Sequence, residues 1–99
     1  MFAMVREGTS DPEKMARGRG QAEEFQRIRA QQPGYRGSVT VDAGNGRVLI
    51  VTLWETQEQA QAARATLEPE AERLLGPLWT APAQVIASGP VLYNDVSQT

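Results

Sequence analysis

Residues 35–54 read Tyr-Arg-Gly-Ser-Val-Thr-Val-Asp-Ala-Gly-Asn-Gly-Arg-Val-Leu-Ile-Val-Thr-Leu-Trp, and this stretch decides the fold. Its first part alternates, with Tyr35, Gly37, Val39 and Val41 on one side and Arg36, Ser38, Thr40 and Asp42 on the other. That period of two belongs to a strand with one polar face. Ala43-Gly44-Asn45-Gly46 follows, and Asn-Gly tolerates the positive φ of a type I′ turn, so the chain should reverse there as a hairpin. Arg47 to Trp54 is the returning strand. From Val48 onward it has almost no polar residue on either side of the pleat, so both of its faces should be buried.

Toward the N-terminus, Phe2 to Glu7 is a short apolar run that reads as the first strand, and Gly8-Thr9-Ser10-Asp11-Pro12 supplies turn and helix-start chemistry. Asp11 can cap a helix with Pro12 at its first position, where a missing N–H costs nothing; Ser10 with Glu13 is an alternative capping box. The helix should run to about Gln31, with Met15, Ala22, Phe25 and Ile28 on one face and Arg, Glu and Gln on the other. Gly18 and Gly20 each weaken it by about 1 kcal/mol relative to alanine, making its first half the softest regular element. Pro33-Gly34 ends it.

Toward the C-terminus, Thr56 caps a second helix with Gln59 in capping-box position, and Ala60, Ala63, Leu67, Ala71 and Leu74 form its stripe. Pro69 should kink or split it. Gly76-Pro77 stops it, Leu78 to Pro82 reads as a loop, and Gln84 to Ser88 as a last strand that Gly89-Pro90 interrupts. Val91, Leu92 and Tyr93 are too apolar for a free tail and should extend onto another surface, such as a partner subunit. Residues 94–99 read as a frayed end.

The order β-α-β-β-α-β with two amphipathic helices gives an α+β, ferredoxin-like antiparallel sheet with both helices on one face, in one domain spanning residues 1–99. Split βαβ units place strands one and three in the centre, and these are the strands apolar on both sides. A bare second face would be an apolar patch larger than soluble monomers usually expose. A homodimer, with two sheets pressed face to face, is the simplest cover.

Composition narrows the chemistry. The chain contains no cysteine and no histidine. Disulfides, thiolate metal sites and thiol nucleophiles are excluded, and the commonest metal ligand and neutral-pH general base are missing. No metal and no cofactor are expected. Ten basic residues against twelve acidic ones leave a net charge of −2, without the basic field that would hold a phosphate backbone, so nucleic acid is not an expected partner. No stretch approaches a membrane span or a signal peptide, and the expected location is the cytoplasm. Arg17-Gly18-Arg19-Gly20 lacks the preceding strand and third glycine of a dinucleotide fingerprint, and its arginines fit a solvated helix face. Nine of the ten basic residues are arginine, which gives no single arginine special weight.

Three segments carry a resemblance to a known family: the helix running into Gln32-Pro33-Gly34-Tyr35-Arg36-Gly37, the hairpin into Val48-Leu49-Ile50-Val51-Thr52-Leu53-Trp54-Glu55, and the second helix beginning Thr56-Gln57-Glu58. The chain resembles the dimeric α+β barrels, in the branch named for antibiotic-biosynthesis monooxygenases, over roughly Phe2 to Asp95. The resemblance implies a dimer whose sheets close a barrel. It also implies a cofactor-independent oxygenase of aromatic or polyketide-like compounds, in which a substrate carbanion reacts directly with oxygen. The haem-degrading branch, by the same resemblance, holds its iron with a histidine that this chain does not have.

Trp54 and Trp79 are the candidate ligand-binding residues, as walls of a pocket that stack on a small apolar or aromatic ligand. The plainer alternative is packing, with Trp54 as core at a strand end and Trp79 as a loop plug. The catalytic residues cannot be named from the sequence. Asn45 is claimed by the turn and Asn94 lies past the last strand, so no asparagine is obviously placed to stabilise an enolate. Arg36 heads a polar row with Ser38 and Thr40, read as the exposed side of an edge strand. Two functions therefore stand: a monooxygenase-like small-molecule enzyme, and a non-catalytic dimeric module for ligand binding or regulation.

Overall fold

The computed structural model describes residues 1–95. The elements are β1 (Phe2–Ser10), α1 (Pro12–Arg17), α2 (Arg19–Ala30), β2 (Tyr35–Gly44), β3 (Arg47–Trp54), α3 (Gln57–Leu75) and β4 (Trp79–Pro90), with one turn of 3₁₀ helix, Gly76–Leu78, leading into β4. The four strands form one antiparallel sheet in the order β2-β3-β1-β4. The fold is ferredoxin-like, with the helices packed on one side of the sheet around Met4, Phe25, Trp54, Ala60, Ala63, Leu67 and Leu74.

Local chemistry explains the boundaries. The Asp11 carboxylate accepts the backbone N–H groups of Glu13 and Lys14 and caps α1, with Pro12 in the first turn. Thr56 Oγ1 accepts the Gln59 N–H and caps α3. In the hairpin Asn45 and Gly46 take φ values of 57° and 80°. A side chain at Gly46 would also strike the Ser10 carbonyl, because Ser10 donates its N–H to the Gly46 carbonyl across 2.7 Å and draws the turn against the end of β1.

The register assigns every central residue to a face. Phe2, Met4, Arg6 and Gly8 of β1 lie across from Trp54, Thr52, Ile50 and Val48 of β3, and this set faces the helices. Ala3, Val5 and Glu7 lie across from Leu53, Val51 and Leu49 on the open side, where β2 adds Gly37, Val39 and Val41. A register shift between Tyr35 and Gly37 separates these two residues. Tyr35 therefore turns to the helix side with Ser38 and meets Trp54 edge to face at 5.6 Å, while Arg36 leaves the polar row to pair with Glu55 at 2.8 Å.

Several sequence expectations are corrected. The first helix is two helices broken at Gly18, where the Leu78 side chain packs so closely that a Cβ would force it to move. Pro69 does not split α3, which runs unbroken past it; Pro69 and Ala65 are both exposed, so the carbonyl that the proline deprives of a donor can bond to water. The strand β1 extends through Gly8 to Ser10 instead of turning at Gly8. The expected loop after Leu78 is the first part of β4, and Gly89 and Pro90 remain paired with Ala3 and Phe2. An edge strand accommodates both prolines because its outer backbone groups need no partner strand, and the stretch around Pro82 lies where the register shifts. Past β4 the Val91 N–H bonds to the Met1 carbonyl, after which Leu92 and Tyr93 are exposed. The last part of the expected frayed end, from residue 96 on, lies outside the described residues.

Candidate functional site

Between the helices and the sheet lies a concavity of about 790 Å³. It falls in the range of roughly 300–1,000 Å³ usual for small-molecule pockets. Met4 and Ile50 form its floor from β1 and β3, Phe25 and Leu67 line it from α2 and α3, and Trp54 and Trp79 stand at the ends of β3 and the start of β4. These six side chains give it a predominantly apolar and aromatic wall.

The two indoles differ. Trp54 is 2 % exposed and belongs to the core; its Nε1–H donates to Thr52 Oγ1 at 3.1 Å, so its only polar atom is already used. What it offers to the cavity is a ring surface. Trp79 is half-buried and lies flat over Gly8, whose missing Cβ makes room for the indole against the β1 backbone. It is therefore the more accessible of the two, held in place by the strand beneath it.

The polar side of the cavity is made of arginines. Arg29 sits one turn after Phe25 on α2, is 9 % exposed, and holds its guanidinium carbon 5.5 Å from the Phe25 ring centre. Its Nη2 donates to Gln26 Oε1 and to Ser38 Oγ. Gln26 Nε2 in turn donates to the Tyr35 hydroxyl at 3.0 Å, and that hydroxyl donates to Ser38 Oγ at 3.0 Å, closing a ring of polar side chains that fixes the arginine. Arg29 Nε is buried without a hydrogen-bond partner. Burial draws this guanidinium below the ordinary arginine pKa, and the Tyr35 hydroxyl offsets part of the effect.

Arg6 enters from β1, half-buried, on the side that carries Met4. It is drawn below the ordinary arginine value by burial and then by the charges of Arg64 and Arg29, with Glu68 acting in the opposite direction. Arg64, also on the wall, is paired with Glu68 at 2.6 Å. Among the described residues there is no group of three or more His, Cys, Asp or Glu side chains that could hold a metal ion, and no helix is long and apolar enough to cross a membrane.

Sequence reasoning singled out Trp54 and Trp79, and both stand on the cavity wall. It passed over Arg6 and Arg29. Arg29 was grouped with the solvated residues of its helix, whereas it shares the buried face of Phe25 four residues earlier. The spacing could have revealed it, as could the alternation that puts Arg6 between Met4 and Gly8 on the inward side of β1. Neither signal is strong alone, because long arginines often bury their stems and keep their heads in water.

The comparisons with known proteins agree with this architecture. Residues 1–72 match the family model described as antibiotic biosynthesis monooxygenase. Among solved structures, a candidate antibiotic biosynthesis monooxygenase of Nitrosomonas europaea is similar with a TM-score of 0.73 at 11 % identity, covering 94 % of this chain and 100 % of its own. A conserved protein of Methanosarcina mazei has a TM-score of 0.73 at 10 % identity, with 89 % of each chain covered. SnoaB, a cofactor-independent oxygenase of Streptomyces nogalater solved in a mutant form, has a TM-score of 0.68 at 16 % identity, covering 94 % of this chain and 97 % of its own. Identities this low speak for the fold alone. No curated protein matches the sequence.

Proposed function

The chain belongs to the antibiotic biosynthesis monooxygenase family, and from that premise we propose that it is a cofactor-independent oxygenase of aromatic or polyketide-like compounds. The observation that carries this reading is the cavity between helices and sheet, walled by Phe25, Trp54 and Trp79 and cationic on one side. Flat apolar rings gain most from such a wall, by burial and by offset or edge-on contact with the indoles. A cation near a bound carbon acid favours its deprotonated form, and a water-poor site strengthens that effect.

The reaction that fits needs no resident metal or organic cofactor. An activated CH₂ between aromatic rings loses a proton to give a carbanion, and the carbanion's electrons reduce dioxygen to a carbon-bound peroxide. Loss of water from the peroxide leaves a ketone, so that R₂CH₂ and O₂ become R₂C=O and H₂O. The substrate supplies all the electrons that leave the organic carbon.

The reading includes a second copy of the chain. Val5, Val51, Leu53, Val39 and Val41 lie together on the side of the sheet away from the helices, and none is buried. We propose that the same face of a partner covers them, in an apolar interface of roughly 2,000 Å² or more, and that Leu92 and Tyr93 rest on the partner.

A non-catalytic dimeric ligand-binding or regulatory module is the second reading. It is favoured by the absence of histidine and by the use of the Trp54 N–H within the core. Oxygen uptake with anthrone and hydroquinone substrates separates the two. Enzymatic uptake that falls at least about tenfold in Trp79→Ala supports the oxygenase, by the loss of a stacking surface. Tight binding of the same compounds without uptake supports the module.

A further inference from the structure

Resting on the aromatic-ligand reading of the same cavity, we propose that the ligand enters already charged: a flat aromatic carboxylate whose acid group lies between Arg6 and Arg29, with its rings against Trp79 and Phe25.

The argument is one of charge left without an answer. Three guanidinium groups line a predominantly apolar concavity. Arg64 is paired with Glu68 at 2.6 Å, and Glu72, the other carboxylate on the wall, is exposed. Arg6 has no hydrogen bond or ion pair among the described residues. Arg29 Nη2 donates to Gln26 and Ser38, neither of them an anion, and its Nε is buried without an acceptor. A desolvated cation with open donors is unfavourable unless an anion meets it; burial weakens the hold of both arginines on their protons, and at Arg6 the charges of Arg64 and Arg29 add to the effect.

The chemistry selects the class of anion. Guanidinium groups present coplanar N–H donors that match the two oxygens of a carboxylate. The Gln26–Tyr35–Ser38 ring and the Phe25 face hold Arg29 in one orientation before any ligand arrives, which removes an ordering penalty from binding. The aromatic part follows from the walls next to the cations, Phe25 under Arg29 and Trp79 over Gly8. A phosphate or sulfate alone would satisfy the charge but leave these rings unused.

The experiment measures binding of anthraquinone-2-carboxylate and anthraquinone-2-carboxamide, nearly identical in shape and differing in charge, by calorimetry and by quenching of tryptophan fluorescence. The proposal expects the carboxylate to bind roughly tenfold more tightly or better, the ratio that a charged hydrogen bond confers. It expects Arg6→Met to lower the carboxylate affinity toward that of the carboxamide while the carboxamide affinity stays the same. Arg6 makes no bond that the variant would break, so folding is retained, as circular dichroism would verify; Arg29→Lys, which keeps a charge but not the planar donor pair, gives an intermediate loss. Equal affinity for the two probes, or a preference that survives in both variants, overturns the proposal while leaving the aromatic cavity standing. Binding of neither probe overturns both. Selective carboxylate binding without oxygen uptake from any carboxylated anthrone supports this proposal and counts against the oxygenase.

Discussion

The two faces of the one sheet have similar residues and opposite surroundings. On the helix side Thr52, Trp54 and Met4 are 0 %, 2 % and 6 % exposed; on the other side Val39 and Val41 are 52 % and 43 % exposed, and the valines and leucines between them stay half open. The side that the helices cover carries Thr52, Ser38, Tyr35, Arg6 and Arg29, while the uncovered side of the central strands is aliphatic apart from Thr9 and the Glu7–Arg47 pair near the hairpin end. Burial on the helix side is thus incomplete by design of its contents, leaving a cavity with directed polar groups. The exposed valines of the other side have no polar contacts to make, and they are the observation behind the proposed second copy.

Neighbouring residues of β3 put this contrast to the test. Val51 points to the open side and Thr52 to the helices. If a second copy covers the open face, Val51→Asp places an unpaired charge in an apolar interface and should cost on the order of 3–5 kcal/mol, giving monomeric, aggregated or unfolded protein in sedimentation and circular dichroism. A change within about 0.5 kcal/mol, the usual result on a wetted surface, would break the comparison.

Thr52→Val keeps the shape of the side chain and removes the acceptor of the Trp54 indole N–H. Leaving that buried donor unsatisfied should cost about 1–3 kcal/mol in urea unfolding, with no change in association state. The smallest effect belongs to Glu7 on the open side, whose carboxylate accepts from Arg47 Nε at 2.7 Å. The hydrogen bond from Arg47 holds the Glu7 carboxyl below its ordinary value, against a small opposing effect of burial, and the Arg47 charge adds to the lowering. Its stabilisation is therefore present above the ordinary carboxylate range and lost as pH falls through the lowered value. Glu7→Gln should lower the melting temperature only slightly at pH 7, and the difference from the wild type should vanish in acid.

What the sequence revealed follows the same division. The hairpin, the helix caps and the double-sided apolarity of β3 were legible because each depends on near neighbours or on a period. The break at Gly18 was not, since it depends on Leu78, sixty residues later in the chain and packed against that glycine. Nor was the full length of β4: prolines argue against a strand in general, but not on a sheet edge, and edge position is a property of the assembled fold. The indoles of the cavity were found because tryptophan is conspicuous. The arginines were not, because an arginine shows its role only when the face it lies on and the partners it lacks are known.

The division of the sheet into a ligand side and a partner side is tested most directly by sedimentation equilibrium of the wild-type chain at micromolar concentration. A dimer is the predicted result, with the monomer appearing only on dilution or in denaturant. A folded, soluble monomer throughout that range would contradict it, since the aliphatic face would then stand in water without a partner.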